Sequence, residues 1–209
     1  MRKLRLWLAG IAGLALVTLL VTIALDAQAT AFQTQKIFDG IGIKEGSTIC
    51  EVGAGDGELT IAAAKVVGAT GRIYSNELGD ERLKALRRKV ADSGFQHITV
   101  VDGSADRTNF PDATCDAVFL RNVYHHFADP SAMNASIRAA LKPGGRLAII
   151  DFSPPKEEAP TPAERSKDAM HGVKAETVAK EAKDAGFEFV SNTPGDKRWY
   201  MVLLQKAQF

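Results

Sequence analysis

The sequence predicts a doubly wound α/β fold, with a seven-stranded, mostly parallel sheet covered by helices on both faces. Apolar segments of strand length alternate along the chain with amphipathic segments of helix length, the pattern of repeated β-α units. The first of these strands runs into a turn with glycines at 53, 55 and 57. The chain ends in two strands joined by a tight turn at 193–196, which predicts an antiparallel pair at one edge.

The first thirty residues are predicted to be separate from this domain (31–209). Residues 1–5 are basic, and residues 6–25 carry no charge over a length that can cross a bilayer as a helix. Ala-Gln-Ala at 27–29 matches a signal-peptidase pattern, which favours cleavage, whereas the length of the apolar segment favours an uncleaved transmembrane anchor. With either outcome the positive end stays in the cytoplasm, so we expect a membrane-anchored or exported domain on the extracytoplasmic (periplasmic) side.

Charge and cysteine content exclude several classes. The formal net charge of the 209 residues is +1, with acidic and basic residues mixed along the chain, so no nucleic-acid partner is predicted. Cys50 and Cys115 fit neither a metal-ligand spacing nor a C-x-x-C redox motif, and no metal site is predicted. Both lie in apolar strand contexts, which predicts small, buried hydrophobic side chains. Residues 31–43 carry a short amphipathic pattern. It predicts a helix that covers the ligand site, a helix that only packs on the core, or a linker to the membrane segment.

The glycine turn carries the most informative motif. A dinucleotide fingerprint needs its third glycine at 58, where Glu58 stands, and a Walker loop is excluded because no Lys-Ser/Thr follows. The segment Glu51-Val-Gly53-Ala-Gly55-Asp-Gly57 resembles motif I of the class I S-adenosylmethionine-dependent methyltransferases, whose fold is Rossmann-like. The resemblance implies S-adenosyl-L-methionine as cofactor, with Glu51 near its ammonium. Four residues would admit the methionine portion: Gly53, Ala54, Gly55 and Gly57.

The ends of the second and third strands supply the other predicted donor contacts. The second strand (72–77) ends on Glu77, twenty residues beyond Gly57, where a Rossmann-like fold places an acid against ribose hydroxyls. The alternative is a strand-end acid that faces water. A helix over 80–93, capped by Asp80, leads to the third strand (98–101). The following block resembles one in which an acid contacts adenine; Ser104 replaces that acid here, and Asp102 or Asp106 could substitute. The predicted donor site also includes Leu78, Gly103, Ala105 and Arg121.

Acceptor-side residues are predicted after the fourth and fifth strands. Tyr124, His125 and His126 follow the fourth strand (117–120) and resemble a segment of the ubiquinone/menaquinone-biosynthesis group of methyltransferases. A histidine there could take a proton from a nucleophile, and a loop-packing role is the alternative. The block 141–147, Leu-Lys-Pro-Gly-Gly-Arg-Leu, also resembles that group and leads from a helix capped by Asp129 into the fifth strand (146–152). Asp151 and His171 complete the catalytic candidates.

The rest of the chain completes the predicted domain. Residues 153–162 are too proline-rich for a helix; they either cover the acceptor side as a lid or form a surface linker. A helix up to Ala185 leads to the sixth (187–192) and seventh (198–205) strands. The resemblance covers about residues 35–206.

The resemblance implies methyl transfer to a small molecule, and the amino terminus favours an apolar or lipid-like acceptor such as a quinone precursor. Because the methyl donor is made in the cytoplasm, an exported domain needs a donor supply or an inverted topology. The alternative function is a catalytically silent, membrane-tethered domain that senses adenosylmethionine or acts as a scaffold. A nicotinamide oxidoreductase is disfavoured by the glycine spacing.

Overall fold

The structure, a computed structural model, describes residues 34–168 and 171–208. The chain divides into two units, residues 1–36 and residues 37–209. The predicted signal or transmembrane anchor at residues 1–30 lies outside the described residues. Among the helices that are described, none combines the length and the apolarity that crossing a bilayer requires.

One seven-stranded sheet organises residues 37–208, with the strand order β3-β2-β1-β4-β5-β7-β6. All neighbours from β3 to β5 are parallel, whereas β7 is antiparallel to both β5 and β6. This topology confirms the predicted fold class. Strand order reverses between β1 and β4, and the carboxyl ends of these two parallel strands lie at the same end of the sheet. The strands are β1 Thr48–Val52, β2 Arg72–Glu77, β3 Ile98–Asp102, β4 Cys115–Arg121, β5 Leu141–Phe152, β6 Phe187–Pro194 and β7 Trp199–Lys206.

Helices cover both faces of the sheet, and each face has its own apolar cluster. They are α1 (34–41), α2 Glu58–Val67, α3 Asp80–Ser93, α4 Pro130–Ala140, α5 Pro162–Arg165 and α6 Ala175–Asp184, with a 3₁₀ turn at Tyr124–His126. From Ile37 onward α1 packs on the core, where the Phe38 ring meets the edge of Phe119 on β4 with 6.0 Å between centroids. Of the three predicted roles for this segment, the structure shows the packing helix.

Several element ends differ from those predicted. Gly79 precedes α3, so Asp80 is its first residue and not its cap, whereas Asp129 caps α4 as predicted by accepting from the Ala132 N–H at 3.0 Å. Strand β5 begins at Leu141, because that residue already pairs with Cys115 ahead of a register shift. A short helix, α5, begins at the last residue of the proline-rich segment, Pro162, where the Thr161 side chain caps it and the proline occupies its first turn.

The prediction for the two cysteines was half wrong. Both side chains are fully buried, as predicted, but Cys50 and Cys115 are joined by a disulfide bond, with their Cα atoms 5.9 Å apart. The bond links adjacent strands, β1 and β4. A separation of 65 residues matches no local motif, so only the pairing of these strands shows that the two sulfurs meet.

Candidate active site

The glycine turn is held by Asn76, a residue that was not predicted to take part in the site. Its buried side chain accepts a hydrogen bond from the Gly53 N–H at 3.0 Å and donates one to the Thr108 carbonyl at 2.8 Å. Its backbone carbonyl accepts from the Ala54 N–H at 2.9 Å. Asn76 therefore fixes the turn after β1 to the end of β2. A polar residue directly before the predicted ribose-binding acid is the only sequence signal that could have indicated this role.

Glu77 closes the same end of β2 and lies against the turn. One carboxylate oxygen accepts from the Gly55 N–H at 2.7 Å, and the other accepts from the Leu78 N–H at 2.7 Å. The residue is 6% exposed, and the Arg82 guanidinium lies 3.8 Å away. A carboxylate has about four lone-pair positions, so two hydrogen bonds leave acceptors for hydroxyl groups. Leu78 is 46% exposed beside it, an apolar side chain available to the face of a ring.

The three glycines of the turn have different surroundings. A Cβ on Gly53 would lie 2.6 Å from a methyl of Val123, and one on Gly57 would lie 2.9 Å from a methyl of Leu86 on α3. A Cβ on Gly55 would meet no atom within 4 Å, although its N–H is held by Glu77. Gly53 and Gly57 are therefore needed for packing, whereas Gly55 borders open space in which a ligand could approach the backbone.

This contrast predicts different effects for two alanine substitutions. Both positions have positive φ, +68° at Gly53 and +56° at Gly55, so each alanine costs about 1 kcal/mol in backbone strain. We expect Gly53→Ala to cost about 1–3 kcal/mol more, because its methyl overlaps Val123. Gly55→Ala should cost little beyond the strain and still weaken S-adenosylmethionine binding at least tenfold. Urea unfolding and titration calorimetry measure the two effects, and unchanged affinity in Gly55→Ala would contradict the assignment of this space.

Glu51 lies on β1 inside a buried cluster of hydroxyl groups. One oxygen of its carboxylate accepts a hydrogen bond from the Thr60 hydroxyl on α2, and the Ser75 hydroxyl on β2 lies 3.4 Å from the same oxygen. Burial is the main influence and raises the pKa of Glu51 to about 7, against the lowering effects of the Thr60 hydrogen bond and the Arg121 charge. The predicted contact with the donor's ammonium stays a prediction; a nearby cation would favour the ionised form.

The raised pKa of Glu51 predicts a specific pH dependence of stability. Because the folded-state pKa (about 7) lies above the ordinary value of 4.5, the folded state retains a proton that the unfolded chain releases between these values. Stability is therefore lost as pH rises through this window, by on the order of 3 kcal/mol. We expect Glu51→Gln to remove this loss, so that the variant gains on the wild type between pH 5 and pH 8 in urea unfolding. Parallel pH profiles for the two proteins would contradict it.

The end of β3 contains the residues predicted to border adenine. The Gly103 N–H donates to the Glu77 carbonyl at 3.1 Å, which brings this loop beside the acid predicted to bind ribose. The Ser104 hydroxyl accepts from the Asn109 amide at 3.0 Å. The carboxylate of Asp102 pairs with Arg87 on α3, and Ala105 and Asp106 are exposed. The adenine-side roles of Ser104, Ala105, Asp102 and Asp106 stay predictions.

On the other side of the turn, His125 and Asp151 form a buried pair. The Nδ1 atom of His125 lies 3.0 and 3.1 Å from the two carboxylate oxygens of Asp151. The backbone N–H of His125 also donates to one of these oxygens, at 3.1 Å. The Phe152 N–H donates to the other at 2.8 Å, so Asp151 acts as an acceptor throughout. This arrangement places the imidazole proton on Nδ1. The Nε2 atom, which then carries the lone pair, is buried and has no partner among the described residues.

The other predicted acceptor-side residues are placed differently. The ring centroids of His126 and His125 lie 4.0 Å apart. The pKa of His126 is lowered, mainly by burial and to a smaller extent by the charge of His125. Tyr124 is fully buried; its hydroxyl accepts from the Asn134 amide at 2.9 Å, and burial raises its pKa, so we give it a packing role. His171 precedes Val173, whose N–H donates to the Phe152 carbonyl, and its buried Nε2 has no partner in the described segments.

The segment from Ser153 to Ser166, which we call the strap, covers the 3₁₀ turn that carries the two histidines. Its helix α5 packs on that turn, and His126 bonds the backbone of Ser166. Buried Arg165 forms two hydrogen bonds with Glu181 on α6, at 3.1 and 3.2 Å. Glu158 accepts from the Lys174 N–H at 2.9 Å and the Thr177 hydroxyl at 2.6 Å. The strap is therefore anchored to α6 at two points. The predicted alternatives for residues 153–162, a lid over the acceptor side and a surface linker, stay predictions.

Aromatic side chains line the neighbourhood of the His125–Asp151 pair. The ring of Phe152 lies 5.1 Å from the His125 ring and 5.3 Å, edge to face, from the Trp199 ring. The Arg198 guanidinium lies 5.3 Å from the Phe152 centroid on the other side. Together these side chains form an apolar wall with one cation at its edge.

The comparisons with known proteins agree with this geometry. Residues 50–149 match the family model described as a methyltransferase domain. A ubiquinone/menaquinone biosynthesis C-methyltransferase from Marinomonas sp. is 32% identical over 118 residues, 56% of this chain and 47% of that protein. Another with the same description from Escherichia coli is 30% identical over the same length. The chain therefore spans about half the length of the curated relatives it matches.

Among solved structures, a SAM-dependent methyltransferase from Aquifex aeolicus superposes with a TM-score of 0.70 at 25% identity, over 82% of this chain and 88% of that one. The family model, these relatives and the open space at Gly55 beside the Glu77 carboxylate all fit the same cofactor, S-adenosyl-L-methionine. Residues 50–149 are therefore similar to a methyltransferase domain, the description of the family model that they match.

Proposed function

We propose that this protein transfers a methyl group from S-adenosylmethionine to a small acceptor whose nucleophilic atom carries a proton. The observation that carries the donor half is the Glu77 carboxylate, which holds the Gly55 turn and keeps acceptor capacity beside open space. The observation that carries the acceptor half is the His125–Asp151 pair, with an unpartnered Nε2. Both lie where the strand order reverses, the usual ligand position in open α/β sheets.

On the donor side, the protein needs to bind S-adenosylmethionine in position and does not need to activate it. When bound, S-adenosylmethionine supplies a methyl group on a sulfonium that is already activated for displacement. Glu77 would accept hydrogen bonds from the ribose hydroxyls, and Gly55 would allow the methionine portion to approach the backbone. Leu78 would contact a ring face. Glu51, Ala54, Arg121 and residues 103–105 complete the proposed contacts. The chain's contribution is to hold the reacting groups in line and to exclude water.

The acceptor side handles a proton. As the acceptor atom forms its bond to carbon, its proton would move to Nε2 of His125, and the imidazolium so formed would be stabilised by the Asp151 carboxylate. An acceptor without a proton, such as a tertiary amine or a thioether, would need no such base. The paired histidine therefore favours a phenol, an enol, an amine or a carbon acid. Because Nε2 is buried, the acceptor can reach it only after neighbouring residues move, and the strap, which bonds His126 through Ser166, is the segment that we propose to move.

The acceptor class we favour is an apolar hydroquinone. The wall formed by Phe152, Trp199 and Arg198 suits an aromatic ring, and the curated relatives are named as C-methyltransferases of ubiquinone and menaquinone biosynthesis. A hydroquinone carries an acidic hydroxyl, and removing that proton makes both its oxygen and the neighbouring ring carbons nucleophilic. A lipid tail on such a ring would agree with the predicted membrane-proximal amino terminus.

Two measurements test the proposal. Calorimetry with S-adenosylmethionine, S-adenosylhomocysteine and NAD should show binding of the first two only; NAD binding alone would instead indicate an oxidoreductase. Transfer of a tritiated methyl group is then measured with 1,4-dihydroxynaphthalene, with a thiol and with a primary amine of similar size. We expect labelled product from the dihydroxynaphthalene. Donor binding without product from any acceptor would favour the silent sensor over the enzyme.

A further inference from the structure

The Cys50–Cys115 disulfide encloses the part of the chain that builds the donor site. Cys50 directly precedes Glu51 on β1, and Cys115 is the first residue of β4. Between them lie the glycine turn, Asn76, Glu77 and residues 103–105. Of the residues proposed above to contact the donor, only Arg121 falls outside this loop. The bond also joins β1 and β4, the two strands between which the strand order reverses.

The environment of the bond determines when it can form. Both cysteines are 0% exposed and lie in the apolar cluster on one face of the sheet, among residues such as Val118, Leu120 and Leu147. Thiol–disulfide exchange needs a thiolate that an oxidant can reach, and a thiol in apolar surroundings is disfavoured as a thiolate and inaccessible. The bond must therefore form before or during folding. For the same reason, a soluble reductant can reach it only after the domain opens.

We infer that this disulfide is a permanent covalent closure of the donor-binding half, made as the chain folds in an oxidising compartment outside the cytoplasm. The inference rests on the proposed function only in taking the enclosed residues as the donor site. A second, independent observation is the basic and apolar sequence of residues 1–30, which predicts export or anchoring with the domain on the extracytoplasmic side. Stable disulfides are typical of such compartments and rare in the cytosol.

The oxidation balances with a disulfide-bearing oxidant of the thiol-exchange class. The thiolate of one cysteine attacks the oxidant's disulfide and forms a mixed disulfide, releasing one thiolate of the oxidant. The thiolate of the second cysteine then attacks the mixed disulfide, so that the Cys50–Cys115 bond forms and the oxidant leaves as a dithiol. Two electrons pass to the oxidant, and the two thiol protons pass through solvent to its released sulfurs.

The first test reads the thiol state in cells. The full chain is produced in a bacterial host with its extracytoplasmic thiol oxidase intact and in an isogenic strain without it. Cells are quenched in acid, the protein is unfolded without reductant, and free thiols are labelled with a polyethylene-glycol maleimide. We expect no mass shift in the first strain and two adducts in the second. Two adducts in both strains would overturn the bond, and no adducts in either would overturn its dependence on an exported oxidant.

The second test separates the bond from the donor site. Closing a loop of about this length predicts that the purified full chain, refolded in reductant, melts about 10 °C below the oxidised protein. The Cys50→Ala/Cys115→Ala double variant is the control, and its Tm should not respond to reductant. Equal responses in the two proteins would overturn the closure. Donor binding is measured on the oxidised protein, where its failure would contradict the proposed function and leave the thiol result independent.

Discussion

Replacing Glu77 by alanine is expected to weaken S-adenosylmethionine binding about 10²- to 10⁴-fold. The carboxylate would accept hydrogen bonds from both ribose hydroxyls, and hydrogen bonds to a charged group contribute about 1.5–3 kcal/mol each. The same carboxylate accepts from the Gly55 and Leu78 N–H groups, so its removal also loosens the turn that borders the donor space. Titration calorimetry of the full chain with the donor and with S-adenosylhomocysteine measures the effect without knowledge of the acceptor.

Glu81→Ala is the matched control for this measurement. Glu81 lies four residues further along, is exposed on α3 and pairs with Lys84 at 3.2 Å, away from the turn. We expect its donor affinity to stay within threefold of the wild type. A thermal melt of both variants shows whether each is folded at the temperature of the titration. If Glu77→Ala is folded and binds the donor as the wild type does, the donor site is wrongly placed.

His125→Gln is expected to lower the rate of methyl transfer about 10²- to 10⁴-fold, the range that a general base contributes. The acceptor for this assay is the one identified in the methyl-transfer screen. Donor affinity should stay within threefold, because His125 lies on the acceptor side of the turn. A folded His125→Gln variant that transfers methyl groups at the wild-type rate would show that another group is the base.

Asp151→Asn tests whether His125 acts as a base in the tautomer that Asp151 imposes or is only a buried imidazole. An asparagine amide can donate to Nδ1, which moves the imidazole proton to Nε2 and removes the lone pair from the reactive position. We expect a loss of rate similar to that of His125→Gln, with the fold retained in a thermal melt. His126→Gln is the control, because His126 lies beside His125 and is exposed. A larger loss from His126→Gln than from His125→Gln would exchange the two roles.

Local patterns were enough to predict most of the fold. The alternation of strands and helices, the glycine turn and the Leu-Lys-Pro-Gly-Gly block depend on neighbours in the chain, because turn geometry and helix ends are set within a few residues. One error was local too: Asp80 begins a helix that Gly79 precedes and is not its cap. The lid or linker after β5 stays a prediction, and the contacts of Glu158 and Arg165 with α6 were not predicted.

By itself the sequence determined the fold class, the glycine turn and the acid at the end of β2, because each is written in consecutive residues or a fixed spacing. Only the tertiary structure decided which side chains act together. His125 and Asp151, Asn76 and Gly53, and Cys50 and Cys115 are 23 to 65 residues apart, and each pair meets because neighbouring parallel strands lie side by side. Two parallel strands are connected by a long crossover segment. Residues that meet across the sheet are therefore far apart in the sequence, and no local pattern connects them.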